Sequence, residues 1–311
     1  MSALSTAVQD YLSLRRRLGF KLHEEGTLLP DFVSFLERQG ASAITTDLAL
    51  RWAMLPAATL PSHWATRLRM VRLFASHWSA TDPRTEVPPP SLLPFRYHRK
   101  PPHIYTDVEI DALIRAAKDL STPKSLRPRT YSTLIGLLAV TGLRAGEVVG
   151  LDRDDVDLDC GILTVRRTKF GKSRLIPVHP STRHALRHYA SRRDRAFPAP
   201  RTPSFFLSDQ GRRLTWWILR WTFVKLSQQC GVRAPGARRG PRLHDFRHTF
   251  AVRTILAWYR AGANVEQHIP ELSTYLGHVH VTDTYWYLSA VPELLALAAA
   301  RLENAHAEPR P

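Results

Sequence analysis

The stretch LHDFRHTFA, residues 243–251, sets two histidines and an arginine between flanking phenylalanines. On a helix His244 and Arg247 stand three apart and share a face, while Phe246 and Phe250 turn toward a core. Two chemistries compete for that face. A metal site calls for carboxylate, thiol or further imidazole ligands at matching spacing. HVH at 278–280 could be recruited, yet neither an HExxH pattern nor a cysteine pair accompanies it. A phosphate site asks only for donors: Arg247 as a guanidinium fork, His244 as a hydrogen-bonding acid or base. The phosphate reading is the stronger, and no metal or other cofactor is expected.

Three other stretches hold groups suited to a phosphate. In TGLRAGEVVGL, 141–151, Gly142 supplies a left-handed helix stop and Leu143 anchors the turn. Arg144 is then presented at the start of a short helix containing Glu147, Val148 and Leu151. TKFGKSRLIP, 168–177, reads as a hairpin tip with Lys169, Lys172 and Arg174. Such a tip can enter a DNA groove, and a lysine there can protonate a departing alkoxide. In YLGHVHVTDTYWYL, 275–288, Leu276 and Gly277 stop a helix and present His278. A short helix follows, capped by Thr282 or Asp283, with Tyr285 and Tyr287 on it. Two positions are about 200° apart around a helix, so only one of these tyrosines can face a site.

The whole chain is built for a polyanion. It has 44 Lys and Arg against 27 Asp and Glu, a formal charge of +17. Such a surplus is the footprint of a nucleic-acid binder, because each phosphate it neutralises releases counterions. The only cysteines, Cys160 and Cys230, lie far apart and offer no disulfide framework, which suits a reducing cytosol. No run of 18 apolar residues is present, so no membrane span is expected. Localisation is expected to be cytoplasmic, on the nucleoid.

The elements that must position these groups fall into two domains. Residues 1–86 read as helical. Val8, Tyr11, Leu12 and Leu18 form one stripe, and Leu28, Phe32, Phe35 and Leu36 a second. A third helix covers DLALRWAML with Asp47 as N-cap. In a fourth, Trp64, Leu68, Val71, Phe74 and Ala75 point inward, leaving Arg67, Arg69 and Arg72 for the surface and a DNA backbone. Prolines then break every periodicity through 87–105, an extended basic linker. Residues 106–303 mix helix and strand. Thr106 and Glu109 form a capping box, and YSTLIGLLAV is a buried helix. GILTVRR and SRLIPVH pair as strands, SFFLSDQG adds a strand and turn, and WWILRWTFVKLSQQCG is a helix ended by Gly231. Helices are expected over LHDFRHTFAVRTILAWYR, from Pro270, over TDTYWYL, and through PELLALAAARLEN. The last bears a stripe at Leu294, Leu295, Leu297 and Ala298 that packs within the chain or on a neighbouring copy. Residues 304–311 form a tail. The fold class is mostly α with a small antiparallel sheet in the C-terminal domain.

Arg144 in TGLRAGE, Lys169 in the hairpin, His244 and Arg247 in HDFRH, His278 after LGH, and Tyr287 occur in one order. Together they resemble the tyrosine recombinase (phage integrase) family over about 104–300, and TDTYWYLSAVPEL is most similar to transposon-encoded members. The resemblance implies a two-domain DNA clamp with a helical core-binding domain before the linker. It implies that Tyr287 attacks a DNA phosphate to give a 3′-phosphotyrosine, without metal or ATP. Arg144 and Arg247 would neutralise the phosphate and His278 would hydrogen-bond a non-bridging oxygen. His244 would assist proton transfer, Lys169 would donate to the leaving 5′-oxygen, and Glu147 would orient Arg144 or its neighbours rather than react. Tyr287 is preferred to Tyr285, and Lys169 to Lys172, by the family's intervals. The approach to LGH through GANVEQHIPELSTY departs from the family's pattern. Implied partners are double-stranded DNA with paired recombination sites and further copies of the chain, a tetramer in the synaptic complex and a monomer or dimer when free. A type IB topoisomerase shares the chemistry, and an inactive DNA-binding regulator shares the fold.

Overall fold

A computed structural model of the chain describes residues 2–95, 101–120, 125–166, 173–237 and 239–289, with 293, 294, 296 and 299 beyond. Two compact units divide it at Lys100 and Pro101.

The first unit contains four helices, α1 (Ala3–Arg17), α2 (Glu25–Arg38), α3 (Thr46–Met54) and α4 (Pro61–Trp78). Their stripes of Val8, Tyr11, Leu12, Phe32, Leu36, Trp52, Val71 and Phe74 close one apolar core. Leu18 does not join it. It caps the C-terminus of α1 and is 66% exposed, since the helix ends before its stripe can recur. The N-cap of α3 is Thr45 rather than Asp47, because the Thr45 hydroxyl accepts from the Leu48 N–H and leaves Asp47 in the first turn.

In the second unit, α5 (Asp107–Lys118) starts on the expected capping box: the Thr106 hydroxyl accepts from the Glu109 N–H, and the Glu109 carboxylate from the Thr106 N–H. Helix α6 (Arg127–Thr141) ends at Gly142, and α7 (Ala145–Gly150) follows. A three-stranded antiparallel sheet comes next, β1 (Val156–Asp157), β2 (Ile162–Val165) and β3 (Arg174–Pro177), ordered β1-β2-β3 with Leu163 opposite Ile176. The tip of the β2–β3 hairpin, with Lys169 and Lys172, lies outside the described residues. Helix α8 (Pro180–Ala196) was not foreseen. SFFLSDQG makes only isolated bridges, Asp152 to Ser204 and Leu207 to Arg213, instead of a strand.

Helix α9 (Trp216–Gln229) completes the larger apolar cluster, which also takes Phe205, Phe206 and Phe246. Helices α10 (Asp245–Arg260), α11 (Val265–Leu276) and α12 (Thr282–Ser289) form a second cluster around Val252, Ile255, Ile269 and Tyr287. Helix α10 therefore spans both, with Phe246 in one and Ile255 in the other. Helix α11 begins at Val265, not at Pro270. Asn264 caps it by accepting from the Gln267 N–H, and Pro270 is tolerated inside it. Of the expected final stripe, Leu294 is buried in the Tyr287 cluster, while Leu295, Leu297 and Ala298 lie outside the described residues.

Candidate active site

Two left-handed glycine corners converge on one place. Gly142 ends α6 at φ 61°, and Gly277 ends α11 at φ 69°. Neither tolerates a side chain: a Cβ on Gly142 would meet the Phe250 ring at 2.6 Å, and one on Gly277 would meet Arg174 Nη1 at 2.8 Å. Close approach and positive φ both demand glycine here.

The last carbonyls of α11 hold three arginines from three other elements. Arg174 Nε donates to Tyr275 O at 2.9 Å, Arg247 Nη2 to Leu276 O at 2.6 Å, and Arg144 Nη2 to Gly277 O at 3.2 Å. A helix C-terminus, with its unsatisfied carbonyls and negative dipole end, suits cations. Arg247 also donates from Nη1 to Gly142 O at 3.1 Å, which ties the two corners together. Glu147 serves two of the three: it accepts from Arg144 Nη1 at 2.8 Å and from Arg174 Nη1 and Nη2 at 3.1 and 2.8 Å. It accepts as well from the Arg144 backbone N–H, closing the N-terminus of α7. Those two guanidinium groups outweigh its burial and hold its carboxyl below the usual range.

The electrostatics of this cluster are unusual for a protein interior. Arg247 is 1% exposed. Burial first, and Arg144 second, bring its pKa down to about 10. His278 is pushed down to about 4, by burial and then by Arg247 and Arg144. His244, the N-cap of α10, keeps an open face to solvent. The protein packed around its other side, with Arg247 next, still lowers it to about 4. Both imidazoles are therefore neutral at pH 7 and can donate or accept a proton.

Tyr287 reaches this cluster, close enough that its phenol would interact with Arg247 if it ionised. Its ring stacks at 6.1 Å on His278 and meets the edge of His248 at 5.4 Å. It is only 2% exposed, whereas Tyr285 on the opposite face of α12 is 43% exposed. Residue spacing raised that choice, and the fold places Tyr287 inward. Two side chains were missed. His248, one turn beyond His244, bridges it at 4.7 Å to Trp286 at 5.2 Å and to Tyr287; the HxxxH spacing was its signal. Thr284 is fully buried and lies 2.7 Å from Nδ1 of His278, with nothing in the sequence to mark it.

Two expected DNA contacts are corrected. Arg174 has a 12% exposed side chain, spent on Glu147 and Tyr275, because β3 starts underneath the Gly277 corner. Arg67 is 6% exposed, since its guanidinium covers the Trp52 ring at 3.7 Å and donates to Trp52 O. Arg69 is exposed and Arg72 half-buried. Among the described residues no group of three or more His, Cys, Asp or Glu is gathered to hold a metal ion, and no helix is long and apolar enough to cross a membrane.

Residues 104–293 match the model of the phage integrase family. The chain is 50% identical over 308 residues, 98% of each sequence, to a protein of Sinorhizobium fredii (strain NBRC 101917 / NGR234) described as a candidate integrase/recombinase, y4rB. It is 35% identical over 217 residues to the tyrosine recombinase XerD of Mycobacterium tuberculosis (strain ATCC 25618 / H37Rv), 68% of this chain and 63% of that one. Among solved structures, the Tn1549 transposon integrase in complex with transposon right end DNA has a similar fold, with TM-score 0.65 and 18% identity over 97% of this chain and 99% of that one.

Proposed function

This chain belongs to the phage integrase family, the tyrosine recombinases, and from that premise we propose how its own residues cut and rejoin DNA. The phenolic oxygen of Tyr287 attacks a backbone phosphorus, and the bond from phosphorus to the 5′-oxygen breaks. The phenol's proton passes to His244, which is neutral and able to accept it. The departing 5′-oxygen takes a proton from Lys169. Arg144 and Arg247 meet the two non-bridging oxygens, where charge accumulates in the transition state. His278 donates to one of them, and Glu147 orients Arg144. The phosphotyrosine conserves the energy of the broken ester, so attack by another 5′-hydroxyl reverses the step without ATP.

The observation that carries this reading is the clustering of three guanidinium groups against one paired carboxylate, beside two neutral imidazoles and a phenol. A site so short of negative charge is completed by an oxyanion. Tyr287 is packed against His248 and Trp286, so these two rings must give way locally before the phenol can reach a phosphate. The substrate is a DNA duplex with paired sites, the working assembly a tetramer of this chain, and the setting the cytoplasmic nucleoid. The helical unit before Lys100 is read as the arm that grips the duplex.

A plasmid bearing two copies of the DNA beside its gene, incubated in EDTA, tests the reading. Recombinant circles are expected. Relaxed circles alone would make it a topoisomerase, loss of cleavage in EDTA a metal nuclease, and binding with no cleavage a regulator.

A further inference from the structure

The bond between His278 and Thr284 has a direction. Thr284 is 0% exposed, and among the described residues its hydroxyl has no hydrogen-bond partner except Nδ1 of His278, at 2.7 Å. A buried hydroxyl proton needs an acceptor, and among the described residues Nδ1 of His278 is the one that Thr284 has. Oγ1 therefore donates and Nδ1 accepts. His278 is neutral at pH 7, and a neutral imidazole that accepts at Nδ1 carries its proton on Nε2. With Nδ1 engaged by Thr284, Nε2–H is the donor that His278 has left for an anion near Arg247 and Arg144, the two guanidinium groups that act on it. Thr284 also stands three residues before Tyr287, on the same face of α12.

On the recombinase reading given above, we propose that Thr284 is a positioning residue: its hydroxyl holds His278 as an Nε2–H donor to the scissile phosphate and, by the same bond, fixes the rotation of α12 that brings Tyr287 inward. Sequence spacing alone assigns it no part, because the bond depends on the Gly277 corner folding His278 back over the start of α12. The hydroxyl is bonded to Nδ1 of His278, so its effect on the phosphate passes through that imidazole.

Thr284→Val keeps the shape and removes the hydroxyl; Thr284→Ser restores it. The probe is a nicked duplex cut from the DNA beside the gene, with single-turnover cleavage and affinity measured separately. Thr284→Val is expected to cleave about 100-fold more slowly, the scale of one lost transition-state donor, with unchanged affinity. Thr284→Ser should recover to within a few-fold. In a His278→Ala background Thr284→Val should add no further loss. Nitrogen-15 imidazole shifts of the DNA-free protein, assigned with His278→Gln, should show Nε2–H at His278 in the parent and a mixture of tautomers in Thr284→Val. Parental cleavage by Thr284→Val, an equal loss in the His278→Ala background, or an Nδ1–H tautomer in the parent would each overturn the inference. A parent protein with the Nε2–H tautomer that cuts no duplex would instead count against the recombinase reading.

Discussion

Arg67 in the first unit and Arg247 in the second are both helical arginines removed from solvent, and their surroundings differ in kind. Arg67 lies over the Trp52 ring, donates to Trp52 O at 3.1 Å and has the Asp31 carboxylate at 3.8 Å. That carboxylate in turn accepts from Trp52 Nε1 at 2.9 Å, so charge, ring and carbonyl close on one another. Arg247 has carbonyl partners, Gly142 and Leu276, and its strongest charged neighbour is another guanidinium, Arg144. A buried cation supplied with a counter-charge is a structural element. One held by backbone dipoles with a guanidinium as its strongest charged neighbour is suited to an anion, which on the proposed function is the scissile phosphate.

That contrast predicts opposite outcomes for the same substitution. Arg247→Ala should slow single-turnover cleavage by about 100- to 1,000-fold, the scale of a lost oxyanion donor. Arg67→Ala should leave the cleavage rate of bound DNA within a few-fold, and lower unfolding stability in urea by about 1–3 kcal/mol through the lost hydrogen bond and cation–π contact. If Arg67→Ala lost cleavage while keeping its stability, the distinction between the two arginines would fail.

A second, smaller effect is a pH dependence confined to the crowded cationic site. His244 and His278 each titrate near 4 in the folded chain, against an ordinary histidine value of about 6.5 in the unfolded one. The unfolded state therefore binds more protons between those limits. The stability they contribute is complete above about pH 6.5 and is lost as pH falls toward 4. Urea midpoints measured across that window should decline with acidification, and a His244→Gln, His278→Gln double variant should lose much of the slope. An unchanged slope would mean that carboxylates elsewhere set the acid response.

The smallest effect separates neighbours on α4. Arg69 is exposed and Arg67 is not. If the first unit lies on the DNA backbone through this face, Arg69→Ala should weaken binding evenly across sequences and reduce the salt slope by about 1. Arg67→Ala should leave that slope alone. Equal slopes for Arg69→Ala and the parent would move the contact to another surface.

Features set by a few adjacent residues were legible in the sequence. The Thr106–Glu109 box and the Gly142 and Gly277 stops depend on hydrogen bonds within one turn, and each formed as expected. The pairing of β2 with β3 followed from alternation alone. Helix α8 escaped because its sequence is crowded with charge, burying only Leu186, Tyr189, Ala190 and Arg193. Strand β1, two residues long, has no periodicity to detect. The burial of Arg174 escaped for a different reason: its partners lie 27 and 101 residues away, and a basic residue beside a hairpin tip reads as solvated until those partners arrive. Tyr287 was singled out by its interval from His278, yet its packing under His248 and Trp286 is a tertiary fact that no spacing encodes.

Mass spectrometry of the protein trapped on a nicked duplex from the DNA beside its gene addresses the central claim most directly, because it identifies which tyrosine carries the 3′-phosphate. The account predicts the adduct on the buried Tyr287, and none with Tyr287→Phe although that variant still binds the duplex. An adduct on the exposed Tyr285, or one that survives Tyr287→Phe, would contradict it.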